Sequence, residues 1–473
     1  MVRTRCRCPG WLALVAACAT AACGGSPGGN TSGDDDVPGD GSLPGFDAPP
    51  PAGLFPLGVS SDGTTVVTGD GKPFLIHGEA AWSLTAQLST GDAMRYLADR
   101  KNRGINAILV NLIEHYYADH APKNAAGDAP FTTAGDFSTP SEAYFAHADQ
   151  VIDMAASQGM AVMLFPAYLG HQIQEGWRDE MMNMGSVAGA PKCASYGHFL
   201  GQRYAGKQNI IWMWGGDDTP SGEPAVEACM EAIRDGILAA APGALTSAHW
   251  APNSTSRTEQ AFTGSIKLVG VYDYGDDLQD TCRTARNGAP RMPTFLLETC
   301  YEGEVIQSCS SDPLEARRRQ FWGWLGCGAG QIYGVGGIWQ FSPGWQSKLG
   351  SPVTVSAQRL LAIAQRVAWN TLGPDAALVT AGGGDVGSEF EVVAARTADH
   401  KQAVIYLPPD SPATAVTVDL AELSGPVTAT WQDPTADHSV AAGDGLAGDQ
   451  VFTRPPGNNS GGDTDWVLVL TVP

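Results

Sequence analysis

Short runs that are apolar throughout alternate with helical patterns from residue 73 onward. The runs begin 24 to 54 residues apart, which is the span of a βα unit with loops of variable length. Because the runs are continuously apolar, they indicate parallel strands with both faces covered. In chain order the eight runs are Phe74–His77, Ala107–Val110, Ala161–Phe165, Ile210–Trp214, Ala244–Ala248, Leu268–Tyr272, Thr294–Leu297 and Gln331–Gly334.

The segments between these runs carry helix signals. Ser89 is a suitable N-cap for the pattern DAMRYLADRKNR, which stops at Gly104, and a second helical pattern covers residues 141–159. Eight such units predict an α/β fold, a (β/α)8 TIM barrel that closes near residue 370. A doubly wound open sheet is the alternative, but eight parallel strands in series favour closure.

The pattern changes after Pro374. The segments GSEFEVVAAR, KQAVIYLP, TAVTVDL, VTATWQDP and DWVLVLTVP alternate between apolar and polar positions and are separated by turn signals. Such short alternating segments predict an antiparallel β-sandwich. We therefore expect a barrel domain over residues 54–373 and an accessory β-sandwich over residues 374–473.

The first 23 residues have the organisation of an export signal. Three arginines precede the apolar stretch Trp11–Ala22, which is too short to span a bilayer but typical of a signal peptide. Small residues before Cys23 resemble a bacterial lipoprotein processing site, and Cys18 is an alternative site. An ordinary cleaved secretory signal is the other interpretation. Both predict an exported protein, either secreted or held by lipid at the outer membrane or cell surface.

Residues 24–53 are rich in Gly, Pro, Ser and Asp and offer little to bury, which predicts a flexible linker. The whole chain has 28 Lys and Arg against 50 Asp and Glu, a net charge of -22. This balance argues against nucleic acid and against an anionic membrane surface as partners. We expect a monomer whose only membrane contact is the N-terminal lipid anchor.

Six cysteines follow the leader, and an even number in an exported chain suggests disulfides. Cys193 and Cys229 would each open a helix, whereas Cys300 and Cys309 share one loop. These are the two favoured pairs among the 15 possible connectivities. No C-x-x-C pair occurs, so a zinc knuckle is not expected.

Two carboxylates follow predicted strands, and (β/α)8 enzymes carry their chemistry at the C-terminal ends of strands. Asp217 follows the fourth run through two glycines, and Glu298 directly follows the seventh. Facing carboxylates can hydrolyse a glycosidic bond, since one protonates the leaving oxygen while the other attacks or activates water. Taken singly, Asp217 could instead cap a helix and Glu298 could form a buried salt bridge.

Other strand ends supply aromatic rings and hydrogen-bonding groups, which a sugar requires because its C–H faces stack on rings while its hydroxyls need directed partners. Trp322 and Trp324 lie in a helical pattern and are expected in the core. No G-x-S-x-G nucleophile elbow, Walker loop or G-x-G-x-x-G dinucleotide fingerprint stands at a predicted strand-to-helix turn, and His115 and His120 do not have the H-E-x-x-H spacing, so neither a metal nor a cofactor is expected. The candidate substrate-binding residues are Glu79, Trp82, Asn111, His115, Tyr168, His249, Tyr272, Tyr274, Trp339 and Gln340.

Several long blocks resemble the apiosidase-like glycoside hydrolases of family 140. They include KPFLIHGEAAWSLTAQLSTGDAMRYLADRKNRGINAILVN, YGHFLGQRYAGKQNIIWMWGGD, FLLETCYE and GIWQF, and the likeness runs from about residue 57 to 370. The resemblance implies a (β/α)8 barrel that releases apiose from pectic side chains. It also implies that Asp217 is the acid/base, that Glu298 is the nucleophile of a retaining mechanism and that Trp82 lines the sugar subsite. The trailing sandwich resembles the module that often accompanies this domain.

The sequence thus favours an exported glycosidase acting on a polysaccharide or oligosaccharide, with carboxyl groups about 5–5.5 Å apart, as retention requires. A non-catalytic glycan-binding lipoprotein is the alternative, although both carboxylates are intact. A surface peptidase or adhesion protein ranks last, since no nucleophile triad or metal motif supports it.

Overall fold

Eight parallel strands form the wall of a barrel in the computed structural model, which describes residues 49–306, 309–409, 411 and 413–473. Each strand overlaps one of the eight apolar runs. The strands are β1 (Ile76–Ala80), β2 (Ala107–Asn111), β3 (Ala161–Phe165), β4 (Ile210–Gly215), β5 (Leu245–His249), β6 (Val269–Tyr272), β7 (Thr294–Glu298) and β8 (Gly328–Tyr333).

The strands neighbour one another in the order β5-β4-β3-β2-β1-β8-β7-β6. The remaining seam, between β5 and β6, is joined by a hydrogen bond from the Leu268 amide to the Thr246 carbonyl at 3.0 Å. The Ser256 hydroxyl also donates to the Ala248 carbonyl at 2.6 Å and accepts from the Gly270 amide at 2.8 Å. The predicted (β/α)8 barrel is therefore confirmed, in preference to an open sheet.

Alternate residues of each strand face the barrel interior and the surrounding helices. In β2, Ala107 and Leu109 belong to the interior core, whereas Ile108 and Val110 pack with the helices. Both faces of the strand are thus apolar, which explains the continuous runs in the sequence.

Helices surround the barrel between successive strands. As the sequence predicts, Ser89 caps the second helix, its hydroxyl accepting from the Asp92 amide at 3.2 Å, and Gly104 follows the helix with φ of 81°. The helices are α1 (Leu84–Gln87), α2 (Thr90–Asn102), α3 (Glu142–Ser157), α4 (Arg178–Gly185), α5 (Pro191–Tyr204), α6 (Pro224–Ala240), α7 (Gln260–Thr263), α8 (Leu278–Asn287), α9 (Pro313–Cys327) and α10 (Pro352–Ala364).

Two antiparallel sheets follow the barrel and confirm the predicted sandwich. The larger has the order β9-β11-β12-β17-β14-β15 and the smaller β10-β13-β16. Their first strand straddles the predicted boundary at residue 374. The strands are β9 (Leu372–Pro374), β10 (Val379–Ala381), β11 (Val393–Thr397), β12 (Gln402–Leu407), β13 (Ala415–Asp419), β14 (Val427–Gln432), β15 (Ser439–Leu446), β16 (Asp449–Thr453) and β17 (Trp466–Thr471).

The barrel and the sandwich share one hydrophobic core along α9. The Phe321 ring stacks on Tyr406 of the sandwich, with centroids 4.7 Å apart and planes 5° from parallel. Arg317 donates to both carboxylate oxygens of Asp465, at 2.8 and 2.7 Å. Trp322 and Trp324 are buried in this region, as predicted. The two parts therefore form a single compact unit.

Three disulfides link described cysteines. The two predicted pairs, Cys193–Cys229 and Cys300–Cys309, are both present. The third, Cys282–Cys327, joins α8 to the end of α9.

The predicted leader with Cys18 and Cys23, and the linker up to residue 48, lie outside the described residues. Within the described part of the chain, no helix has the length and apolar character needed to cross a membrane.

Candidate active site

Asp217 is held at the barrel mouth by a turn of two glycines after β4. Gly215 and Gly216 have φ of 89° and 116°, and Asp217 itself is left-handed at 58°. A Cβ atom on Gly216 would lie 2.2 Å from Cδ2 of Tyr168, so only glycine lets that ring approach. Left-handed conformations are strained for aspartate and recur at functional sites. Asp217 is not a helix N-cap, because α6 begins after Glu223.

Two tyrosines fix the Asp217 carboxylate. The Tyr168 hydroxyl donates to Oδ2 at 2.5 Å, and the Tyr272 hydroxyl donates to Oδ1 at 2.7 Å. The Tyr272 hydroxyl also lies 2.9 Å from that of Tyr274. Both carboxylate oxygens are thus oriented by uncharged donors.

Glu298 is directed into the barrel by a β-bulge. Phe295 and Leu297 belong to the interior core and Leu296 to the helix side, so regular alternation would point Glu298 outward. The pairing between β7 and β6 shifts between Leu296 and Glu298, which inserts one extra residue. Bulges commonly re-aim a side chain beside an active site.

The Glu298 carboxyl is deeply buried and close to a second negative charge. Burial, followed by the charge of Asp217, raises its pKa to about 7, against the opposing hydrogen bond from His249. His249 Nε2 lies 2.7 Å from Oε2, and the Tyr274 hydroxyl lies 3.4 Å from Oε1. No Lys or Arg among the described residues pairs with Glu298, so the site is not a buried salt bridge of the ordinary kind.

His249, at the end of β5, connects the backbone of Asp217 to the carboxylate of Glu298. Its Nδ1 accepts a hydrogen bond from the Asp217 amide at 2.9 Å, so the ring proton lies on Nε2 and is donated to Glu298. Burial lowers the pKa of His249, but the charge of Asp217 and the hydrogen bond with Glu298 outweigh burial and raise it. The ring also stacks on Tyr272, with centroids 4.4 Å apart.

One atom each of Asp217, His249 and Glu298 lie within 4.8 Å of one another, a spacing that could hold a cation. However, both ring nitrogens of His249 already make hydrogen bonds, which leaves no free lone pair in this arrangement. The geometry therefore favours a hydrogen-bonded chain over a metal centre.

A pocket of about 220 Å³ lies above the carboxylates. Trp82 forms part of its wall, and its indole nitrogen donates to the Tyr301 hydroxyl at 3.1 Å. Asn111 also lines the pocket; its side-chain nitrogen faces the Glu114 carboxyl, where it partly offsets the burial that raises the pKa of that group, and its side-chain oxygen has no hydrogen-bond partner among the described residues. The predicted residues in the lining are Trp82, Asn111, Tyr168, Asp217, Tyr272, Tyr274, Glu298 and Trp339.

Three predicted residues do not reach the pocket, and His249 lies buried between the carboxylates without lining it. Glu79, which the sequence predicts to bind substrate, instead faces α2, where its carboxylate pairs with Arg100 at 2.6 Å and accepts from the Tyr96 hydroxyl at 2.6 Å. His115 also lies outside the pocket, because its ring packs on Trp177 and faces Glu180 at 3.5 Å. Gln340 is the third residue outside the pocket, and its side-chain amide donates to the Ser342 hydroxyl at 2.9 Å.

The lining also contains residues that the sequence analysis missed. Tyr301 and Glu304 directly follow β7, so the same strand-end argument could have identified them. Tyr117 and Glu175 come from long loops after β2 and β3, and no periodicity predicts where such loops turn. The missed residues are Tyr117, His171, Glu175, Tyr301, Glu304 and Ile306.

Solved glycoside hydrolases share this architecture. A protein described as a glycoside hydrolase superposes with a TM-score of 0.74 and 22% identity, covering 89% of this chain and 98% of its own. A glycoside hydrolase of family 5 from Bacteroides vulgatus ATCC 8482 gives a TM-score of 0.75 and 21% identity, covering 88% of this chain and 93% of its own. At these identities the likeness concerns the fold.

Family models divide the chain as the structure does. Residues 374–471 match the model described as "Putative collagen-binding domain of a collagenase". No curated protein matches the chain. Residues 60–371, well over half of the chain, match the model of the apiosidase-like catalytic domain. The chain therefore belongs to the apiosidase-like family and is a glycosidase whose catalytic domain is the barrel.

Proposed function

We propose that the protein is an exported glycosidase that removes a terminal sugar from a polysaccharide side chain with retention of configuration. The observation that carries this proposal is the short separation between Asp217 and Glu298, whose nearest oxygens lie within 4.8 Å. Retaining enzymes hold their carboxyl groups about 5–5.5 Å apart, whereas inverting enzymes need about 6.5–9.5 Å to admit a water.

The depths of the two carboxylates support their roles. The Glu298 side chain is 6% exposed and that of Asp217 is 14% exposed. The deeper group, Glu298, would face the anomeric carbon of a sugar inside the pocket. The shallower group, Asp217, would face the glycosidic oxygen, which joins the sugar to a leaving group near solvent.

The reaction then has two steps. Below about pH 7 the pair holds one proton, and in the reactive form Asp217 carries it while Glu298 is ionised. Glu298 attacks the anomeric carbon while Asp217 donates this proton to the glycosidic oxygen, so the glycosidic C–O bond breaks and a glycosyl ester forms on Glu298. Asp217, now a carboxylate, removes a proton from water, which attacks the same carbon and releases the sugar and the Glu298 carboxylate. His249 holds Oε2 of Glu298 throughout, which leaves Oε1 for the attack.

The pocket size supports action on a single terminal ring. Its volume of about 220 Å³ lies below the range of roughly 300–1,000 Å³ typical of sites for drug-sized ligands. Trp82 offers an apolar face for the ring, and the side-chain oxygen of Asn111 offers an acceptor for a hydroxyl.

A product screen tests the activity. The purified protein is incubated with pectic, hemicellulosic and arabinogalactan glycans, including apiose-containing side chains, and released sugars are identified by mass spectrometry. We expect release by the wild type and loss in Asp217→Asn and Glu298→Gln. Asp218→Asn is the matched control, because Asp218 pairs with Arg178 at 2.7 Å and does not line the pocket.

The stereochemistry is tested in the same reaction. With methanol as acceptor, NMR of the first methyl glycoside formed should show the configuration of the substrate. Inversion, or near-normal activity of Glu298→Gln, would contradict the mechanism. Glycan binding without turnover would favour the non-catalytic capture protein instead.

Export and anchoring are proposed on the leader alone. The apolar stretch Trp11–Ala22 ends beside Cys23, where lipid would be attached. Metabolic labelling with palmitate should mark the wild-type protein and Cys18→Ser, but not Cys23→Ser. Label on Cys23→Ser and none on Cys18→Ser would move the anchor to Cys18.

A further inference from the structure

We propose that the leaving-group side of the pocket accepts a neutral sugar and excludes a uronate. This inference rests on the proposed function and names its substrate class: a terminal sugar joined to an uncharged glycan. It would separate this enzyme from glycosidases whose cleaved bond adjoins a galacturonate.

The charge of the pocket lining is the first observation. Four of its residues are acidic, namely Glu175, Asp217, Glu298 and Glu304, and none of the described lining residues is Lys or Arg. His171, the one basic residue in this lining, is exposed. A substrate carboxylate would therefore approach negative groups with no guanidinium or ammonium to receive it.

The two acidic groups beyond the catalytic pair form the rim of the pocket. The Glu175 carboxylate accepts from the Tyr117 hydroxyl at 2.8 Å and from the backbone amide of Gln172 at 3.0 Å. Glu304 accepts a hydrogen bond from the indole nitrogen of Trp339. The Tyr117 and Trp339 rings are in edge contact, with centroids 5.0 Å apart. Uncharged donors thus hold both carboxylates, and no Lys or Arg of the described lining pairs with either of them.

One nearby lysine does not alter this conclusion. The charge of Lys348 partly offsets the burial that raises the pKa of Glu304. However, its ammonium donates to the Gly336 carbonyl at 2.9 Å, and Lys348 does not belong to the lining. It is therefore not placed to bind a substrate carboxylate inside the pocket.

The surface next to the rim is suited to hydroxyl groups. A depression that shares Glu175 with the pocket is also lined by Tyr116, Gln172 and Gln174. The Tyr116 ring is 59% exposed and can stack on a sugar, while the amides can read hydroxyls. Recognition of a carboxylate would instead call for an arginine fork.

The charge of the whole chain acts in the same direction. A net charge of -22 repels a polyuronate at long range, and this repulsion is screened as salt increases. Both the local lining and the overall field thus favour an uncharged glycan.

A pair of substrates that differ in one charge tests the proposal. Each carries the same terminal sugar, linked either to a galacturonate or to its methyl ester, and kcat/KM is measured for both. We expect at least a tenfold preference for the ester at low salt, because only the free acid is repelled. The preference should shrink in the double variant Glu175→Gln/Glu304→Gln and at high salt. Asp218→Asn, the control carboxylate outside the lining, should keep it.

The outcomes separate the two proposals. Equal rates for acid and ester, or a preference for the acid, would overturn the inference while leaving the glycosidase assignment in place. If neither is hydrolysed, calorimetry with Glu298→Gln compares binding of the same two compounds. A tenfold tighter binding of the ester supports the charge selection even then, and equal binding overturns it.

Discussion

Replacing Asp217 by Asn should move the titration of Glu298 to lower pH. The nearest oxygens of the two carboxylates lie within 4.8 Å of each other, and two unit charges at that limit, in the effective dielectric of about 20 that suits such pairs, repel by about 3.5 kcal/mol. At about 1.36 kcal/mol for each pH unit, this repulsion corresponds to about 2.5 units. Tyr168 and Tyr272 stabilise part of the Asp217 charge, so we expect the midpoint to fall by about 1–2 units from its value near 7.

The assay is a carbon-detected NMR titration of protein labelled at the glutamate carboxyl carbons. The Glu298 signal is the one that disappears in Glu298→Gln. In the wild type its midpoint should lie at about 7, and in Asp217→Asn it should be lower. Asp218→Asn is the matched control, because its carboxylate is compensated by Arg178 and its removal should leave the midpoint unchanged.

An unchanged midpoint in Asp217→Asn would refute the reasoning, since burial alone would then hold the proton on Glu298. The same pKa has a catalytic consequence. The mechanism needs one proton on the pair, so kcat/KM of the wild type should fall as pH rises through about 7, where the pair loses its last proton. A rate that stays constant as the pH rises through this range would show that the reaction does not use the proton held by the pair.

Three further variants, one of them a double substitution, probe the turn, the shared core and one disulfide. Gly216→Ala should displace the Tyr168 ring and remove a hydrogen bond to a charged group, worth about 1.5–3 kcal/mol, so kcat/KM should fall about 10- to 100-fold while circular dichroism stays native. Tyr406→Ala should lower the unfolding free energy by about 3–5 kcal/mol in a calorimetric scan, and because the two parts share a core, both should melt in one transition. Loss of the disulfide in Cys193→Ala/Cys229→Ala, which closes a loop of 36 residues, should cost about 4 kcal/mol in denaturant unfolding. Separate melting of barrel and sandwich, or native stability without the disulfide, would contradict the last two expectations.

The strands could be predicted because burial on both faces leaves a continuous apolar run that any reader of the sequence can find. Glu79 shows that an apolar run alone does not tell which side of the strand a given residue faces. Ile76 and Ala80 face the interior, so the alternation within β1 already places Glu79 on the helix side. For Glu298 the same alternation would give the wrong side, because the extra residue at the bulge depends on pairing with β6 and leaves no local signal. Register between distant strands is a tertiary property.

The course of the long loops is the second feature that could not be predicted from the sequence. His115 and Tyr117 are two residues apart in the loop after β2, yet His115 packs on Trp177 while Tyr117 reaches the pocket. Both are amphipathic aromatic residues, and composition does not distinguish them. Their positions depend on the Glu114 carboxylate, which accepts the backbone amide of His115 at 3.0 Å and the Ser83 hydroxyl at 2.8 Å. A buried anchor of this kind is visible only once the chain is folded.

The sandwich is linked to the site through α9. Its rings Trp431, Phe452 and Trp466 are buried in its own core. Arg317 on α9 is bound by Asp465 of the sandwich, and two residues later Arg319 donates to the Tyr274 carbonyl at 3.1 Å. Tyr274 in turn approaches Glu298. The backbone of α9 therefore links the contacts made with the sandwich to those made with the residues around the proposed nucleophile, and such support is what a rigid catalytic geometry requires.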